Sequence, residues 1–292
     1  MKYVRFYKFY YCKMLASVGV LKMFNCWVNI KRGGRNFSVP VLNGVGYNNL
    51  SSFSEPWMET MIKRFCNQRK GCIIDVGVNL AQTLLKIASI NDKVEYYGFE
   101  PNPVCYNYST QFTKRNQLLS FKIFPVGLSN ENAVVKLYGD NDYASGATII
   151  EDFRNNKSKY QIIHYVPVMN GDALLKDENI GLINFVKIDV EGSELIVIEG
   201  MQNTLREKMP LIIMEILPVY NLDSENGQLR KERQDKMLHL LQSMGYIMFL
   251  IKEKEIMLEA MESIPVHGDM GKTNYLFVAK SQLHDVNDMI EG

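Results

Sequence analysis

Two acidic residues and one glycine in this sequence stand at or near the ends of short apolar stretches. Asp75 lies within the first stretch, and Gly77 follows two residues later. Leucines and alanines at helical spacing then occupy 80–88, and Glu100 closes a second apolar stretch at 95–99. A strand, a glycine turn, a helix and a second strand closed by an acid outline a nucleoside-cofactor site in a doubly wound sheet. The spacing predicts such a site around Gly77 and Glu100.

The turn after the first strand lacks the glycines that a dinucleotide fingerprint requires. That fingerprint is G-x-G-x-x-G, and its second glycine admits a pyrophosphate. This turn contains only Gly77, followed by Asn79 and Ala81, and the chain has no P-loop lysine. Glu100 can accept two hydrogen bonds from a ribose diol, and its charge would repel a 2′-phosphate. These residues favour S-adenosylmethionine over NAD or NADP, and a nicotinamide-dependent Rossmann oxidoreductase is the alternative.

Four sequence motifs occur along the sheet domain. They are Ile-Asp-Val-Gly-Val-Asn at 74–79, Gly-Phe-Glu-Pro-Asn-Pro at 98–103, Val-Lys-Ile-Asp-Val-Glu-Gly-Ser-Glu-Leu at 186–195 and Pro-Leu-Ile-Ile-Met-Glu at 210–215. Together they resemble the FkbM family of S-adenosylmethionine-dependent methyltransferases. The resemblance covers roughly residues 71–217, and it departs at Ala81, where the family often has glycine. It implies a class I methyltransferase fold, with a doubly wound, Rossmann-like, mostly parallel seven-stranded sheet whose last strand is antiparallel.

The resemblance also implies roles for individual residues, without a metal ion. The expected cofactor-binding residues are Asp75, Gly77, Asn79, Gln82, Thr83, Glu100, Asn102, Gly127, Leu128, Ser129 and Asp189. Within this set, Gln82 and Thr83 would reach the amino-acid carboxylate of S-adenosylmethionine, Glu100 the ribose diol, and the residues at 127–129 the adenine. Asp189 would also face the sulfonium and the acceptor. An alcohol acceptor must lose a proton, so the expected catalytic residues are Asp189 or Glu191.

Strands and helices alternate from Gly71 onward, as in an α/β sheet domain. Strands are predicted at 72–76, 95–99, 121–126, 183–188 and 211–216, with a final pair at 246–251 and 275–278. Helices are predicted at 104–115, 193–205 and 231–244. We expect this domain to span 69–292, with an insertion at about 130–168 that includes strands at 133–138 and 165–168 and a loop or hairpin at 139–159. Residues 1–68 then form an N-terminal extension and cover.

The N-terminal extension is basic and rich in aromatic residues, although the whole chain carries a net charge of only +1. No Asp or Glu occurs before Glu55. We expect one or more helices in 1–35 followed by a turn at 31–35, a strand at 37–42 and a helix from Ser54, its N-cap, to about Asn67. The aromatic side would pack on the main domain; alternatives are an anionic membrane interface, a lipid-linked glycan or a homodimer contact. The low net charge gives no electrostatic case for nucleic acid.

The sequence therefore predicts an S-adenosylmethionine-dependent O-methyltransferase. By family analogy its acceptor is a small molecule or a sugar, and a surface polysaccharide is the first choice. The five cysteines form no C-x-x-C pair, which favours free thiols in a reducing cytosol. We expect a cytoplasmic protein, with attachment to the inner face of the membrane as an alternative. A non-catalytic protein that binds the cofactor is the second rival to a working enzyme.

Overall fold

The computed structural model describes residues 10–12, 14, 15, 17, 19–23, 25–46, 49, 55–144, 146–151, 153 and 161–290. Most of the predicted basic aromatic segment and the predicted N-cap Ser54 lie outside these residues. The helix expected there is described as α1 (Pro56–Gln68), and its N-cap position is occupied by Glu55. Among the described residues, no helix is long and apolar enough to cross a membrane.

The N-terminal part contains a β-hairpin where the sequence pattern predicts a helix. Strand β1 (Asn25–Arg32) pairs antiparallel with β2 (Arg35–Leu42), so the predicted turn at 31–35 is confirmed and the helix predicted before it is wrong for residues 25–30. The cause is the two-residue turn, in which Gly33 and Gly34 have φ angles of 53° and 79°. Two residues with positive φ make the tight turns that join hairpin strands, and glycine adopts that conformation at little cost. The described residues 10–12, 14, 15 and 17 are helical, as predicted.

Besides α1, β1 and β2, the element order of the described residues contains eleven strands, six α-helices and three 3₁₀ helices at Leu21–Met23, Lys280–Asp285 and Asn287–Met289. The strands are β3 (Cys72–Val76), β4 (Tyr96–Phe99), β5 (Phe121–Phe124), β6 (Gly127–Ser129), β7 (Ala133–Gly139), β8 (Gln161–Asn170), β9 (Ile183–Ile188), β10 (Leu211–Glu215), β11 (Tyr246–Lys252), β12 (Met257–Met261) and β13 (Asn274–Ala279). The helices are α2 (Gln82–Ile90), α3 (Pro103–Arg115), α4 (Gly171–Asp177), α5 (Glu194–Gly200), α6 (Gln202–Lys208) and α7 (Glu225–Ser243).

The main sheet has the order β12-β11-β13-β10-β9-β3-β4-β5. Strands β3, β4, β5, β9 and β10 are parallel neighbours, and β13 is antiparallel to β10. Without β12, this is the seven-stranded class I methyltransferase sheet that the resemblance implies, so the predicted fold class is confirmed. The predicted strand count is one too low, because β12 folds back on β11 as an additional antiparallel edge strand.

Apolar side chains fill both faces of this sheet, as a doubly wound fold requires. One cluster joins the sheet to α1, α2, α3 and the hairpin, and it includes Phe37, Trp57 and Phe112. The other joins the opposite face to α4–α7 and includes Ile198 and Leu241. The hairpin is therefore part of the first packed layer.

Two predicted helices differ in extent, and one helix is new. The predicted helix 193–205 is two helices, α5 and α6, which are separated at Met201, where φ is −114° and ψ is 13°. Helix α7 begins at Glu225 rather than 231, with Ser224 as its N-cap. The short helix α4 begins at Gly171, and the side chain of its N-cap Asn170 accepts a hydrogen bond from the N–H of Ala173.

The insertion at about 130–168 contributes most of a separate three-stranded sheet of order β6-β8-β7. Strand β6 is parallel to β8, and β7 is antiparallel to β8. The described residues between β7 and β8 are largely irregular, with one bridge between Tyr138 and Thr148. This small sheet lies beside the tips of β3 and β4, since its residues share a cavity with theirs.

Candidate functional site

A cavity opens at the carboxyl ends of β3, β4 and β9. Open α/β sheets bind ligands at this edge. Eight of the predicted site residues line the cavity: Gly77, Asn79, Glu100, Asn102, Gly127, Leu128, Asp189 and Glu191. The structure therefore brings most of the predicted site together in one place.

Gly77 is the point at which the tips of β3 and β9 come closest. Its φ angle is 90°, and a Cβ built on it would lie 2.0 Å from the backbone oxygen of Asp189. Any side chain at this position would therefore displace backbone as well as adopt a strained conformation. The glycine lets the two strand tips share one wall of the cavity.

The turn from β3 to α2 is unusual because two residues other than glycine have positive φ. Asn79 has φ 48° and Ala81 has φ 60°. Asn79 is held in place by its carbonyl oxygen, which accepts a hydrogen bond from Ser109 Oγ at 2.7 Å. Ala81 occupies the N-cap position of α2 in the left-handed region, which explains why glycine is suited to this position.

Glu100 is buried at the tip of β4, with its carboxylate held by backbone N–H groups. The N–H of Asn79 donates to Oε2 at 2.6 Å, and the N–H of Asn102 donates to Oε1 at 2.8 Å. Burial raises the pKa of Glu100 to about 7, although both hydrogen bonds act to lower it. Each carboxylate oxygen has a second lone pair with which to accept a hydrogen bond from a ligand.

The buried side chain of Lys187 links the tips of β3 and β9. Lys187 Nζ lies 3.1 Å from Asp189 Oδ2 and 3.6 Å from Asp75 Oδ1, and it donates to the Gly77 carbonyl oxygen at 3.4 Å. Burial lowers the pKa of Lys187, but the attraction of the Asp189 and Asp75 carboxylates raises the pKa by more than burial lowers it, so that the net shift is upward. The sequence analysis did not assign Lys187 a bridging role between the strands. Lys187 lies two residues before Asp189, and residues at this spacing in a strand lie on the same face, so the spacing could have indicated their contact.

Asp75, in contrast, lies beneath the cavity and does not line it. Its side chain is fully buried, and the Tyr96 hydroxyl donates to Oδ2 at 2.6 Å. Burial raises the pKa of Asp75, and the neighbouring Lys187 lowers it. In this position the Asp75 carboxylate holds the side chains of Lys187 and Tyr96. Its predicted direct contact with a cofactor stays a prediction.

Three other predicted cofactor contacts also lie outside the cavity lining. Thr83 is buried on α2, with Oγ1 3.8 Å from the sulfur of Met58. Gln82 is exposed at the start of the same helix. Ser129 is buried at the end of β6, with Oγ 3.4 Å from Asn130 Oδ1. Their roles as ligand contacts stay predictions.

Further carboxylates lie at the tips of β9 and β10, on the other side of β3 from Glu100. Asp189 and Glu191 line the cavity, and Glu191 has a φ angle of 52° in the turn after β9. Glu215 closes β10 beside them; burial, followed by repulsion from Asp189 and Glu191, raises its pKa to about 8. A group of carboxylates with one raised pKa can accept or share a proton. The described residues contain no cluster of three or more His, Cys, Asp or Glu side chains arranged to hold a metal ion.

Five apolar residues of the insertion form part of the remaining wall. They are Leu137, Ala144, Ala147, Ile149 and Val168. The sequence offers no motif for them, because they face the cavity only after β7 and β8 pair. They add apolar surface to the cavity wall, and this surface excludes water.

The sheet order and the acid-closed glycine turn define a class I methyltransferase fold with a nucleoside-type site. Comparison with known proteins identifies the family. A family model described as the methyltransferase FkbM domain matches residues 75–248, more than half of the chain. The chain belongs to the FkbM methyltransferase family, which confirms the resemblance drawn from the motifs.

One similar curated protein is the hexuronic acid methyltransferase AglP of Haloferax volcanii. The two are 28% identical over 144 residues, which is 49% of this chain and 54% of AglP. The match thus spans about half the length of that relative.

Similar solved structures include an FkbM methyltransferase from Methylobacillus flagellatus, with 12% identity, 72% of this chain and 43% of that chain covered, and a TM-score of 0.42. Another is a putative caffeoyl-CoA O-methyltransferase from Staphylococcus aureus. It is 12% identical, the match covers 78% of this chain and 84% of that chain, and the TM-score is 0.46.

Proposed function

We propose that this protein is an S-adenosylmethionine-dependent O-methyltransferase whose acceptor is a sugar hydroxyl, with a surface polysaccharide as the first candidate. The observation that carries the proposal is the cavity itself, with the backbone-held carboxylate of Glu100 at one end and Asp189 and Glu191 at the other. Family membership supports methyl transfer. The relative named as a hexuronic acid methyltransferase supports a sugar acceptor.

The residues of the cavity fit S-adenosylmethionine. Glu100 has lone pairs free for a ribose diol, the turn at Gly77 allows a ligand to approach the backbone, and Gly127 with Leu128 offers a small apolar surface for adenine. When bound, this cofactor supplies an electrophilic methyl group on a sulfonium. The same turn lacks the glycines that make room for a pyrophosphate, which disfavours a nicotinamide dinucleotide.

The chain's own residues then have three tasks in the reaction. The cavity walls hold donor and acceptor in line, which is the main source of rate in such a displacement. Asp189 or Glu191 orients the acceptor hydroxyl and takes its proton. Lys187 fixes Asp189 through the contact at 3.1 Å, and the apolar wall from the insertion keeps water away from the reacting atoms.

A cytoplasmic location is a further part of the proposal and rests on the five cysteines, which form no C-x-x-C pair. The basic, aromatic composition of residues 1–35 supports, as alternatives to a packed cover, a contact with a membrane, with a lipid-linked glycan or with a second copy of the chain. The described hairpin packs on the main domain through Phe37, whose ring stacks on Phe112 with centroids 6.2 Å apart. That contact supports a packed cover for residues 25–42.

A transfer assay with S-adenosylmethionine labelled in its methyl group tests this proposal. Neutral and acidic sugars and their oligomers serve as acceptors, and S-adenosylhomocysteine affinity is measured in parallel. We expect label in at least one sugar and a loss of roughly 10²–10⁴-fold in turnover for Asp189→Asn or Glu191→Gln, with cofactor affinity within a few-fold of wild type. Near-normal turnover in both variants would remove the catalytic assignment. Binding without transfer to any acceptor would favour the non-catalytic alternative.

A further inference from the structure

The described residues of 10–17 are helical, and one side of this helix packs on the hairpin. That side belongs to a small apolar cluster, which is separate from the two clusters of the main sheet: Cys12, Leu15, Leu21, Val28 and Val41. Residues three positions apart, such as Cys12 and Leu15, lie on the same side of a helix. The helix is therefore attached to the hairpin by burial of this side.

The opposite side of this helix presents large apolar side chains to solvent. Tyr11 and Met14 are each 53% exposed, and their spacing of three residues places them together. Met23, in the short 3₁₀ helix that follows, is 79% exposed. Grouped apolar side chains in contact with water are typical of an interaction site, because their burial against apolar material is favourable. The segment therefore has one attached side and one apolar exposed side.

The sequence around these exposed side chains is basic and contains no acidic residue. The first 24 residues include five basic side chains and neither Asp nor Glu: Lys2, Arg5, Lys8, Lys13 and Lys22. The rest of the chain balances this charge, since the net charge of the whole protein is only +1. Positive charge is therefore concentrated in the same short segment that exposes Tyr11, Met14 and Met23.

We propose that this segment, residues 1–24, docks on the surface of an anionic lipid bilayer. Negative headgroups attract lysine and arginine near the surface. Tyrosine places its ring at the level of the headgroups, and an apolar side chain such as methionine enters the boundary of the acyl chains. The side with Cys12 and Leu15 stays on the hairpin, so that one helix is a packed cover on one side and a membrane contact on the other.

Two other partners fit the segment less well than a bilayer does. A symmetric contact between two copies of the chain through this segment would place basic side chains against each other, and like charges oppose that contact. A nucleic acid would match the charge, but its phosphate backbone offers no apolar surface to Met14 and Met23. Docking would also hold the enzyme at the surface where a lipid-linked sugar is present; this benefit rests on the proposed function, whereas the docking itself does not.

Sedimentation of the full chain with vesicles tests the docking without requiring turnover. The vesicles contain phosphatidylcholine alone or phosphatidylcholine mixed with phosphatidylglycerol, at low and at high salt. We expect binding to the mixed vesicles to be roughly tenfold or more tighter than to the neutral vesicles, and to weaken at high salt because salt screens the attraction. Equal binding to both kinds of vesicle, or binding to neither, would refute the docking. Affinity for S-adenosylhomocysteine, measured in parallel, tests the methyltransferase proposal separately.

Substitutions connect the docking to this segment. Tyr11→Ser combined with Met14→Ser should weaken binding to the mixed vesicles roughly fivefold or more, and Lys8→Gln combined with Lys13→Gln should do the same at low salt. Leu119→Ser, at a leucine of the main domain that is 94% exposed, is the matched control and should leave binding unchanged. Vesicle binding that neither double variant weakens would place the contact elsewhere and contradict the proposal.

The same variants distinguish the other two partners. Tighter binding to single-stranded DNA than to the mixed vesicles would contradict the proposal in favour of a nucleic acid. A dimer that forms without vesicles and is lost on substitution of Tyr11 and Met14 would contradict it in favour of a second copy. Because Tyr11 and Met14 are exposed, we expect the melting temperature and the affinity for S-adenosylhomocysteine to stay at wild-type values in their double variant.

Discussion

The two ends of the main cavity are built in different ways. The cofactor end comes from one β–α–β unit, in which Gly77, Asn79 and Glu100 lie close in sequence and are fixed by backbone contacts. The acceptor end combines the tip of β9 with the insertion, and Glu215 at the end of β10 lies next to Asp189. Backbone contacts within one unit hold a geometry that few substitutions can retain. Side chains from separate elements can change independently, so the acceptor end is where specificity can vary while the cofactor end is kept.

The largest expected effect is that of Gly77→Ala at the cofactor end. The new Cβ would lie 2.0 Å from a backbone oxygen at a φ of 90°. We expect the free energy of unfolding to fall by roughly 2–4 kcal/mol and binding of S-adenosylhomocysteine to be lost. Chemical denaturation and calorimetry measure the two effects. Gly181→Ala is the matched control, because a Cβ there meets no atom within 4 Å; equal effects in both variants would show that the close approach at Gly77 is unimportant.

Glu100→Gln should weaken binding at the cofactor end of the cavity much more than at the acceptor end. The amide lacks the charge and one of the acceptor oxygens that hold the N–H groups of Asn79 and Asn102. We expect the dissociation constant of S-adenosylhomocysteine to rise by roughly 10- to 100-fold, the value of a charge-assisted hydrogen bond, with the affinity for the acceptor sugar much less affected. Glu95→Gln, at the exposed opposite end of the same strand, serves as the control. A larger loss in sugar affinity than in cofactor affinity would contradict the division.

The acceptor end should also show a pH effect on stability through Glu194. Burial raises its pKa from 4.5 to about 7, so the folded state holds a proton that the unfolded state has lost between these values. The free energy of unfolding therefore falls as the pH rises from 4.5 to 7, because the folded state binds more protons than the unfolded state in this range. We expect the free energy of unfolding of Glu194→Gln, relative to that of wild type, to be higher at pH 8 than at pH 5. Urea denaturation at both pH values would measure this difference. The exposed Glu207→Gln provides the comparison; a Glu194→Gln difference that is constant across the pH range would contradict the assignment.

The smallest expected effect lies outside both ends, where the hairpin is attached to α3. Asn116 accepts a hydrogen bond from the N–H of Ser38 at 2.7 Å and donates to its carbonyl oxygen at 2.9 Å. Asn116→Ala should lower the free energy of unfolding by roughly 1–2 kcal/mol and leave cofactor affinity unchanged. Thermal unfolding and calorimetry would check both. A clear loss of cofactor affinity would mean that the hairpin also shapes the site.

The difference between the two ends also explains what could be predicted from the sequence. Gly77, Asn79, Glu100 and Asp189 could be placed because parallel strands that end in polar residues bring those residues to one edge of the sheet. The apolar wall from the insertion depends on contacts between distant segments, and no motif in the sequence marks it.

The predicted secondary structure fails where local pattern and tertiary contact conflict. The helix predicted at the N-terminus gives way to β1 because the Gly33–Gly34 turn and the pairing with β2 decide its conformation. The helix predicted at 193–205 is broken at Met201, where the backbone leaves the helical conformation. Strand β12 was missed because its residues, Met257–Met261, gain their partner only from β11. Pairing partners far along the chain cannot be inferred from local periodicity.

Titration calorimetry of the wild-type protein with S-adenosylhomocysteine and with NAD, under identical conditions, tests the central claim most directly. The claim is that the glycine turn at Gly77 and the carboxylate of Glu100 form a site for a nucleoside without a pyrophosphate. We expect one S-adenosylhomocysteine to bind per chain, with competition from S-adenosylmethionine and no measurable binding of NAD. Binding of NAD in the absence of S-adenosylhomocysteine binding would contradict the claim.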